Sequence, residues 1–173
     1  MQNIFRLFCI FCLFLSASCL STSPVRDDLK VMGWLEFVRL FDDEVVVKIK
    51  LDPGAKTSSM HAKNIKRFKR GGKRYVRFDF IDKDQRTGKE VKKTIERPLV
   101  RNVLIKAHLA KSRRRPVVVM PFNLGGKVYE TEFSLTDRTR FHYPVLLGRR
   151  FLKDVTLVDS GKTYLLGEIE AYE

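Results

Sequence analysis

The segment Val45–Ala62, VVVKIKLDPGAKTSSMHA, constrains the fold more than any other part of the chain. Between Val47 and Leu51 apolar residues alternate with lysines, and this period of two is typical of a half-buried β-strand. Asp52-Pro53-Gly54 then interrupts the strand, and an extended, hydroxyl-rich run leaves the turn. The segment therefore predicts a strand, a tight turn that presents a carboxylate, and a second strand.

The turn at Asp52 has a purely structural interpretation. Proline suits the second position of a type II β-turn, and glycine suits its third position, where φ is positive. Pro53 and Gly54 stand at those positions. The turn alone therefore favours an ordinary type II turn, and a functional interpretation depends on the residues around it.

The rest of the chain continues in short strand-like runs, separated by turn residues at intervals of roughly 8–12 residues. We also expect one short helix around Gly148–Lys153, and a last hairpin that pairs Val155–Val158 with Tyr164–Leu166 across Ser160-Gly161-Lys162. This pattern predicts an all-β domain, closed or sandwiched. The expected strands before the helix are Val31–Leu40, Val45–Leu51, Thr57–Ala62, Ile65–Lys69, Tyr75–Ile81, Lys89–Ile95, Val103–Leu109, Pro116–Leu124 and Val128–Leu135.

The N-terminal residues predict export. Met1–Cys19 contains one charge, Arg6, then the apolar run Leu7–Leu15, then small residues, which is the pattern of a secretory signal peptide. The apolar run is short for a membrane span, and an uncleaved anchor is the alternative. Residues 20–30 are then expected to form a polar tether. Residues 31–173 are expected to form one domain in the periplasm or attached to the envelope.

The three cysteines, Cys9, Cys12 and Cys19, all lie in this N-terminal segment. The folded part is therefore expected to use neither a disulfide nor a cysteine nucleophile. Cleavage before Cys19 would leave this residue first in the mature chain. That arrangement resembles a bacterial lipoprotein signal, in which the cysteine is lipidated and contacts the membrane. Lipidation and ordinary release both stay open.

The chain is strongly basic, with 34 Lys and Arg against 20 Asp and Glu. Because Arg6 is the only charge before Cys19, removing the signal lowers the formal net charge from +14 to +13. This balance favours an anionic partner: an acidic polypeptide, a phospholipid surface or a nucleic acid. Export makes nucleic acid the least expected of these. For each basic cluster taken singly, a solvated surface is the alternative; the clusters lie at residues 63–74, 111–115 and 138–153.

Several segments together resemble a known family. The run after Lys50 is similar to the active-site loop of retropepsin-like aspartic peptidases, and more closely to that of the bacterial family commonly labelled ATP-dependent zinc protease. Gly33–Glu36 and Lys73–Phe78 fit the same family, and Tyr143–Leu152 resembles its second element. The resemblance covers Val31–Leu166 and implies a retropepsin-like closed β-barrel, the half of an acid protease. The matching loop residues are Asp52, Gly54, Ala55, Lys56, Thr57, Ser58, His61 and Ala62.

The resemblance implies an aspartic endopeptidase with Asp52 as its catalytic residue. Such enzymes hold two carboxylates about 3 Å apart that share one proton, so one acts as base and the other as acid. Because one loop supplies one aspartate, the resemblance implies a homodimer with its site on the two-fold axis. Arg138 and Arg149 are candidates to bind an acidic peptide substrate. The other implied site residues are Pro53, Gly54, Ala55, Thr57, Ser58 and His61 in the loop, and Leu146, Leu147 and Gly148 as its support.

One departure from the family concerns catalysis. Retropepsins carry Thr or Ser after the aspartate, and its hydroxyl braces the two loops across the dimer. Pro53 has neither a hydroxyl nor an N–H. The alternatives to a peptidase are therefore a catalytically weakened or inactive peptidase-like binding module, and a basic envelope protein held by lipid and charge.

The sequence favours no other chemistry. It has no His-Glu-x-x-His, and His61, His108 and His142 stand far apart, so no metal is expected despite the family label. No glycine-rich phosphate loop predicts ATP or another cofactor. Ser58, Ser59 and His61 lack the spacing of a positioned nucleophile and base. The second Asp-x-Gly, Asp159-Ser160-Gly161, is expected to be a hairpin turn.

Overall fold

The computed structural model describes residues 29–105 and 113–167. The predicted signal peptide, its three cysteines and nearly all of the tether lie outside these residues, as does His108. No helix in the two described segments is long and apolar enough to cross a membrane. The elements are β1 (Lys30–Leu40), β2 (Val45–Asp52), β3 (Ser58–His61), β4 (Lys63–Arg70), β5 (Lys73–Lys83), β6 (Glu90–Pro98), β7 (Arg101–Ile105), β8 (Arg113–Leu124), β9 (Lys127–Thr136), β10 (Val145–Gly148), α1 (Arg149–Leu152) and β11 (Thr156–Thr163).

Six strands form a closed barrel in the order β1-β2-β10-β3-β9-β8. The ring closes where Arg39 and Leu40 of β1 pair with Asn123 and Phe122 of β8. Outside the ring, β11 pairs with the first half of β1, and β7 pairs with the first half of β8. The prediction of an all-β closed barrel with one short helix is confirmed.

Alternating side chains of β2 fill the barrel. Val45, Val47 and Ile49 have no exposed surface, while Lys48 and Lys50 lie on the outer face. Each buried Val or Ile side chain contributes about 1.5–3 kcal/mol through the area it removes from water. The same core takes in Met60 of β3 and Leu147 of β10, so the strands that flank Asp52 are fixed by apolar packing.

Strands β4, β5 and β6 form a separate antiparallel sheet that covers the barrel. A turn at Gly71-Gly72 joins β4 to β5, and both glycines adopt positive φ, at 54° and 74°. Val76 and Phe78 of β5 face inwards and belong to the core of the barrel. The outer face carries the stacked rings of Phe68 and Tyr75.

The prediction of a hairpin within residues 155–166 is wrong. Thr156–Thr163 is one strand, parallel to β1, with an irregular register opposite Gly33. A Cβ at Gly33 would lie 2.7 Å from the Lys162 carbonyl oxygen. Because Gly33 has no Cβ, the irregular part of β11 can lie close against β1 and continue as one strand. Asp159-Ser160-Gly161 has the composition of a turn but lies within this strand, where the Gly161 N–H donates to Asp159 Oδ1 at 2.8 Å.

The prediction of a type II turn at Asp52 is also wrong. A turn is present, since the Ala55 N–H donates to the Asp52 carbonyl oxygen at 3.1 Å. However, Gly54 is not among the residues of positive φ. Its N–H instead donates to Asp52 Oδ1 at 3.1 Å, so the aspartate side chain determines the conformation of the turn. Gly54 therefore does not serve to provide left-handed backbone here.

Candidate active site at the Asp52 loop

Asp52 ends β2, where it pairs with Gly148 of the parallel strand β10. Its side chain is 26% exposed. Oδ1 accepts the Gly54 N–H, and Oδ2 lies 3.0 Å from Lys50 Nζ. The carboxylate is therefore held at a strand end between a backbone donor and a lysine, and part of it faces solvent.

The chain after Asp52 rests on the segment that the resemblance named as its support. The Arg149 N–H donates to the Ala55 carbonyl oxygen at 2.8 Å, and the Gly148 N–H donates to Ser58 Oγ at 3.1 Å. A Cβ at Gly148 would lie 2.6 Å from the Thr57 carbonyl carbon. Leu147 is fully buried beside Leu51, whereas Leu146 is partly exposed. The structure thus brings the Asp52 loop and Leu146-Leu147-Gly148 together.

Pro53 lies exposed at the second position of the turn. The turn closes through the Ala55 N–H, and α1 contacts the loop through Ala55 and Lys56. None of these hydrogen bonds uses a donor at position 53. The loop geometry is therefore compatible with proline, and the question that Pro53 raises concerns the missing hydroxyl alone.

His61 lies at the opposite end of β3 from the loop. Its ring is 4% exposed, and its Nδ1 accepts the Arg138 backbone N–H at 2.9 Å. Burial lowers the pKa of His61 below its usual 6.5, against the opposing charge of Asp137. His61 therefore contacts Arg138, in the segment between β9 and β10, rather than the carboxylate of Asp52.

Arg138 is a buried guanidinium, 7% exposed. Its Nη1 donates to Ser59 Oγ at 2.7 Å, its Nε donates to the Tyr143 carbonyl oxygen at 3.0 Å, and it stacks over Phe141 at 4.6 Å. Burial and then the charge of Arg115 lower the pKa of Arg138 to about 10, and Asp52 opposes the shift. Among the described residues no carboxylate forms an ion pair with it.

Arg115 was not singled out by the sequence. Its Nε is buried and has no hydrogen-bond partner in the described part of the chain, and burial lowers its pKa. The basic cluster 111–115 was the available signal, but it did not distinguish Arg115 from its neighbours. Lys50 was also missed, although period two places it on the same face as Asp52. Arg149, in contrast, has an exposed side chain at the start of α1.

Comparison with known proteins identifies the family. The family model described as the RimB-like retropepsin-like aspartic endopeptidase matches residues 31–168. The chain belongs to the RimB-like family. The retropepsin-like resemblance is thereby confirmed. Within residues 29–105 and 113–167, this RimB-like chain has no group of three His, Cys, Asp or Glu side chains placed to hold a metal ion.

Relatives and a solved structure extend the match. A protein of Shewanella pealeana named probable alpha-L-glutamate ligase is 38% identical over 122 residues, which is 70% of this chain and 26% of that protein. A protein of the same name from Desulfotalea psychrophila is 33% identical over 145 residues, 81% of this chain and 30% of its own. This RimB-like chain therefore matches less than a third of the length of these relatives. A Legionella pneumophila crystal structure, of a protein of unknown function, is 36% identical with a TM-score of 0.67, covering 79% of this chain and 98% of that one.

Proposed function

We propose that this RimB-like chain is an aspartic endopeptidase whose Asp52 pairs with Asp52 of a second copy. The observation that carries the proposal is the Asp52 carboxylate at the end of β2, bound by the Gly54 N–H and braced through Gly148. A single loop supplies one carboxylate, and a two-fold axis beside the loop would supply the second.

The chemistry follows from placing two carboxyl groups together. Like charges that close do not both ionise readily, so the pair holds one proton. The ionised carboxylate takes a proton from water, whose oxygen bonds to the peptide carbonyl carbon, while the other carboxyl group protonates the carbonyl oxygen. The C–N bond then breaks as the nitrogen receives a proton from the pair, and one hydroxyl of the intermediate returns a proton to the pair as the new carboxyl group forms. Water supplies all the atoms added to the two products.

Acidic peptides are the proposed substrates. Arg138 is a buried charge whose partners among the described residues are neutral oxygens, and buried charges are stable when an opposite charge completes them. The charge of Arg115 adds to that of Arg138. The relatives named glutamate ligases support the same substrate chemistry. Arg149, exposed beside the loop, is a further contact for a carboxylate.

A binding module without hydrolysis is the second candidate. Pro53 cannot supply the hydroxyl that braces retropepsin loops, and the Asp52 carboxylate already forms an ion pair with Lys50. Both features would weaken a proton-sharing pair while leaving a surface that binds acidic peptides. The two candidates differ in turnover and not in binding.

Peptide cleavage decides between the candidates. We expect the purified chain to cleave a glutamate-rich peptide faster than its glutamine-rich counterpart, and Asp52→Asn to abolish cleavage. Asp159→Asn is the matched control, because Asp159 also accepts the N–H of a glycine two residues later and lies in β11. Binding of the glutamate-rich peptide with no cleavage by wild type would favour the second candidate. Equal loss in both variants would contradict a special role for Asp52.

A further inference from the structure

His61 Nδ1 lies between two alternative partners. It accepts the Arg138 backbone N–H at 2.9 Å, and it lies 3.8 Å from Asp137 Oδ1. Accepting a hydrogen bond requires a lone pair, so neutral His61 carries its ring proton on Nε2. A proton added at Nδ1 would turn the acceptor into a donor that faces another donor.

The carboxylate of Asp137 faces that new donor, and its Oδ1 would receive it in addition to the Thr139 N–H at 2.9 Å and the Thr139 hydroxyl at 2.5 Å. Its side chain is 62% exposed, and hydrogen bonds from Thr139 hold the pKa of Asp137 below its usual value. It therefore stays ionised where His61 titrates. A shift of about 1 Å would bring Oδ1 within hydrogen-bond distance of Nδ1, and such a shift is within the range of loop motion.

The same short segment carries both partners of His61 and the guanidinium of Arg138. Arg138 and Asp137 are adjacent in the chain. The hydrogen bond from the Arg138 backbone N–H to His61 fixes the backbone at position 138, and from there the guanidinium reaches Ser59. A cavity of about 340 Å³ borders His61, Arg138 and Phe141, and it leaves room for this segment to move and for solvent protons to enter. Loss of the backbone contact would therefore move the guanidinium as well.

We propose that His61 is a positioning residue for Arg138, and that protonation of His61 exchanges the Arg138 N–H for the Asp137 carboxylate and displaces the guanidinium from Ser59. On the proposed function, recognition of acidic substrates then depends on neutral His61. The direction is set by the charges around the ring. Burial, Lys63 of β4 and Arg138 oppose protonation, whereas Asp137 and Asp82 of β5 favour it; Lys83 and Glu90 line the same cavity.

Two substitutions at position 61 separate the states. In His61→Asn the amide oxygen replaces Nδ1 as an acceptor that does not titrate, so Arg138 should keep its position at every pH. In His61→Gln the amide lies nearer the position of Nε2, which leaves the Arg138 N–H without its acceptor at every pH. Asp137→Asn, at an exposed position, keeps His61 and weakens the alternative partner.

The test follows the Arg138 amide and side-chain NMR signals from pH 7.5 to 5. In wild type we expect them to shift with the His61 titration, whose midpoint lies below 6.5 because burial lowers the pKa. The shift should vanish in His61→Asn and shrink in Asp137→Asn. Titration of His61 with stationary Arg138 signals in wild type would overturn the proposal, even if the position 61 variants fail to fold.

Peptide binding separates this inference from the proposed function. With Asp52→Asn to prevent cleavage, affinity for a glutamate-rich peptide should fall roughly tenfold as His61 protonates, the equivalent of one charge-assisted hydrogen bond. A glutamine-rich peptide should show no such loss. If Arg138 follows His61 while affinity for the glutamate-rich peptide stays constant, the positioning role stands and the substrate role of Arg138 fails.

Discussion

At the scale of single residues, the two buried charged groups Glu36 and Arg138 differ in the hydrogen-bond partners that surround them. The fully buried carboxylate of Glu36 accepts N–H groups of Gly33, Leu165 and Leu166 at 2.7–3.2 Å. Its partners are all supplied by the backbone. Arg138 has only two neutral oxygens as hydrogen-bond acceptors among the described residues. Glu36 is thus a structural connection between β1 and residues 165–166, whereas the guanidinium of Arg138 has no carboxylate partner in the described part of the chain.

We expect Glu36→Gln to destabilise the fold by about 1–3 kcal/mol, because the amide NH₂ of glutamine would face backbone donors and leave at least one of them unsatisfied. Glu130→Gln on the exposed part of β9 is the matched control and should change stability by less than about 0.5 kcal/mol. The free energy of unfolding in urea measures both. Equal stability of the two variants would contradict the structural role of Glu36.

At the scale of elements, the pairing of β2 with β10 positions the candidate site. Strand β10 lies between β2 and β3, and its last residue, Gly148, contacts the backbone of Thr57. Helix α1 begins at the next residue, and its first N–H binds the loop. The Asp52 loop is therefore supported where β10 ends at Gly148 and α1 begins. The close packing at this point leaves little room for any side chain at position 148.

Gly148→Ala should destabilise the protein and displace the Asp52 loop, since a Cβ 2.6 Å from the Thr57 carbonyl carbon requires movement of β10 or of the loop before β3. We expect a loss of about 1–3 kcal/mol, as for other overpacked sites. Gly161→Ala is the control, because its nearest contact is the movable Asp159 side chain at 3.3 Å. Urea unfolding and cleavage assays test this, and an unchanged Gly148→Ala protein would refute the tight junction.

At the scale of the whole molecule, the high positive charge bears on where the protein acts. The formal net charge of +14 would attract anionic surfaces as well as acidic peptides. We propose that the chain is exported and that its signal is removed before Cys19. Whether the mature protein is lipidated decides if these charges act at a membrane or in free solution.

Expression of the full chain in a bacterial host should yield a mature protein that begins at Cys19. The mass of its N-terminal peptide would identify cleavage and any lipid, and cell fractionation would locate the protein. Cys19→Ala removes the thiol that would carry the lipid, so any lipid on the N-terminal peptide should be absent from this variant, whereas Cys12→Ala, within the apolar run, should leave it in place. An intact N-terminus in the cytoplasmic fraction would refute export.

Local sequence predicted most of the architecture. Period two and glycine-rich turns predicted the strands, and the resemblance around Asp52 and Gly148 predicted which segments meet at the loop. The failures arose where local pattern was ambiguous. Asp159-Ser160-Gly161 has the composition of a turn, yet its Gly161 N–H is satisfied by Asp159 inside a strand that β1 holds in place.

The sequence by itself determined that a strand would deliver Asp52 to a turn, because side-chain alternation and the Pro-Gly pair act within a few residues of one another. Only the tertiary structure decided what surrounds that turn. His61 and Arg138 meet across 77 residues of chain, and Ser59 meets Arg138 across 79. These contacts depend on how the barrel closes. No local pattern encodes that closure, so the partners of the buried guanidinium became visible only in the folded chain.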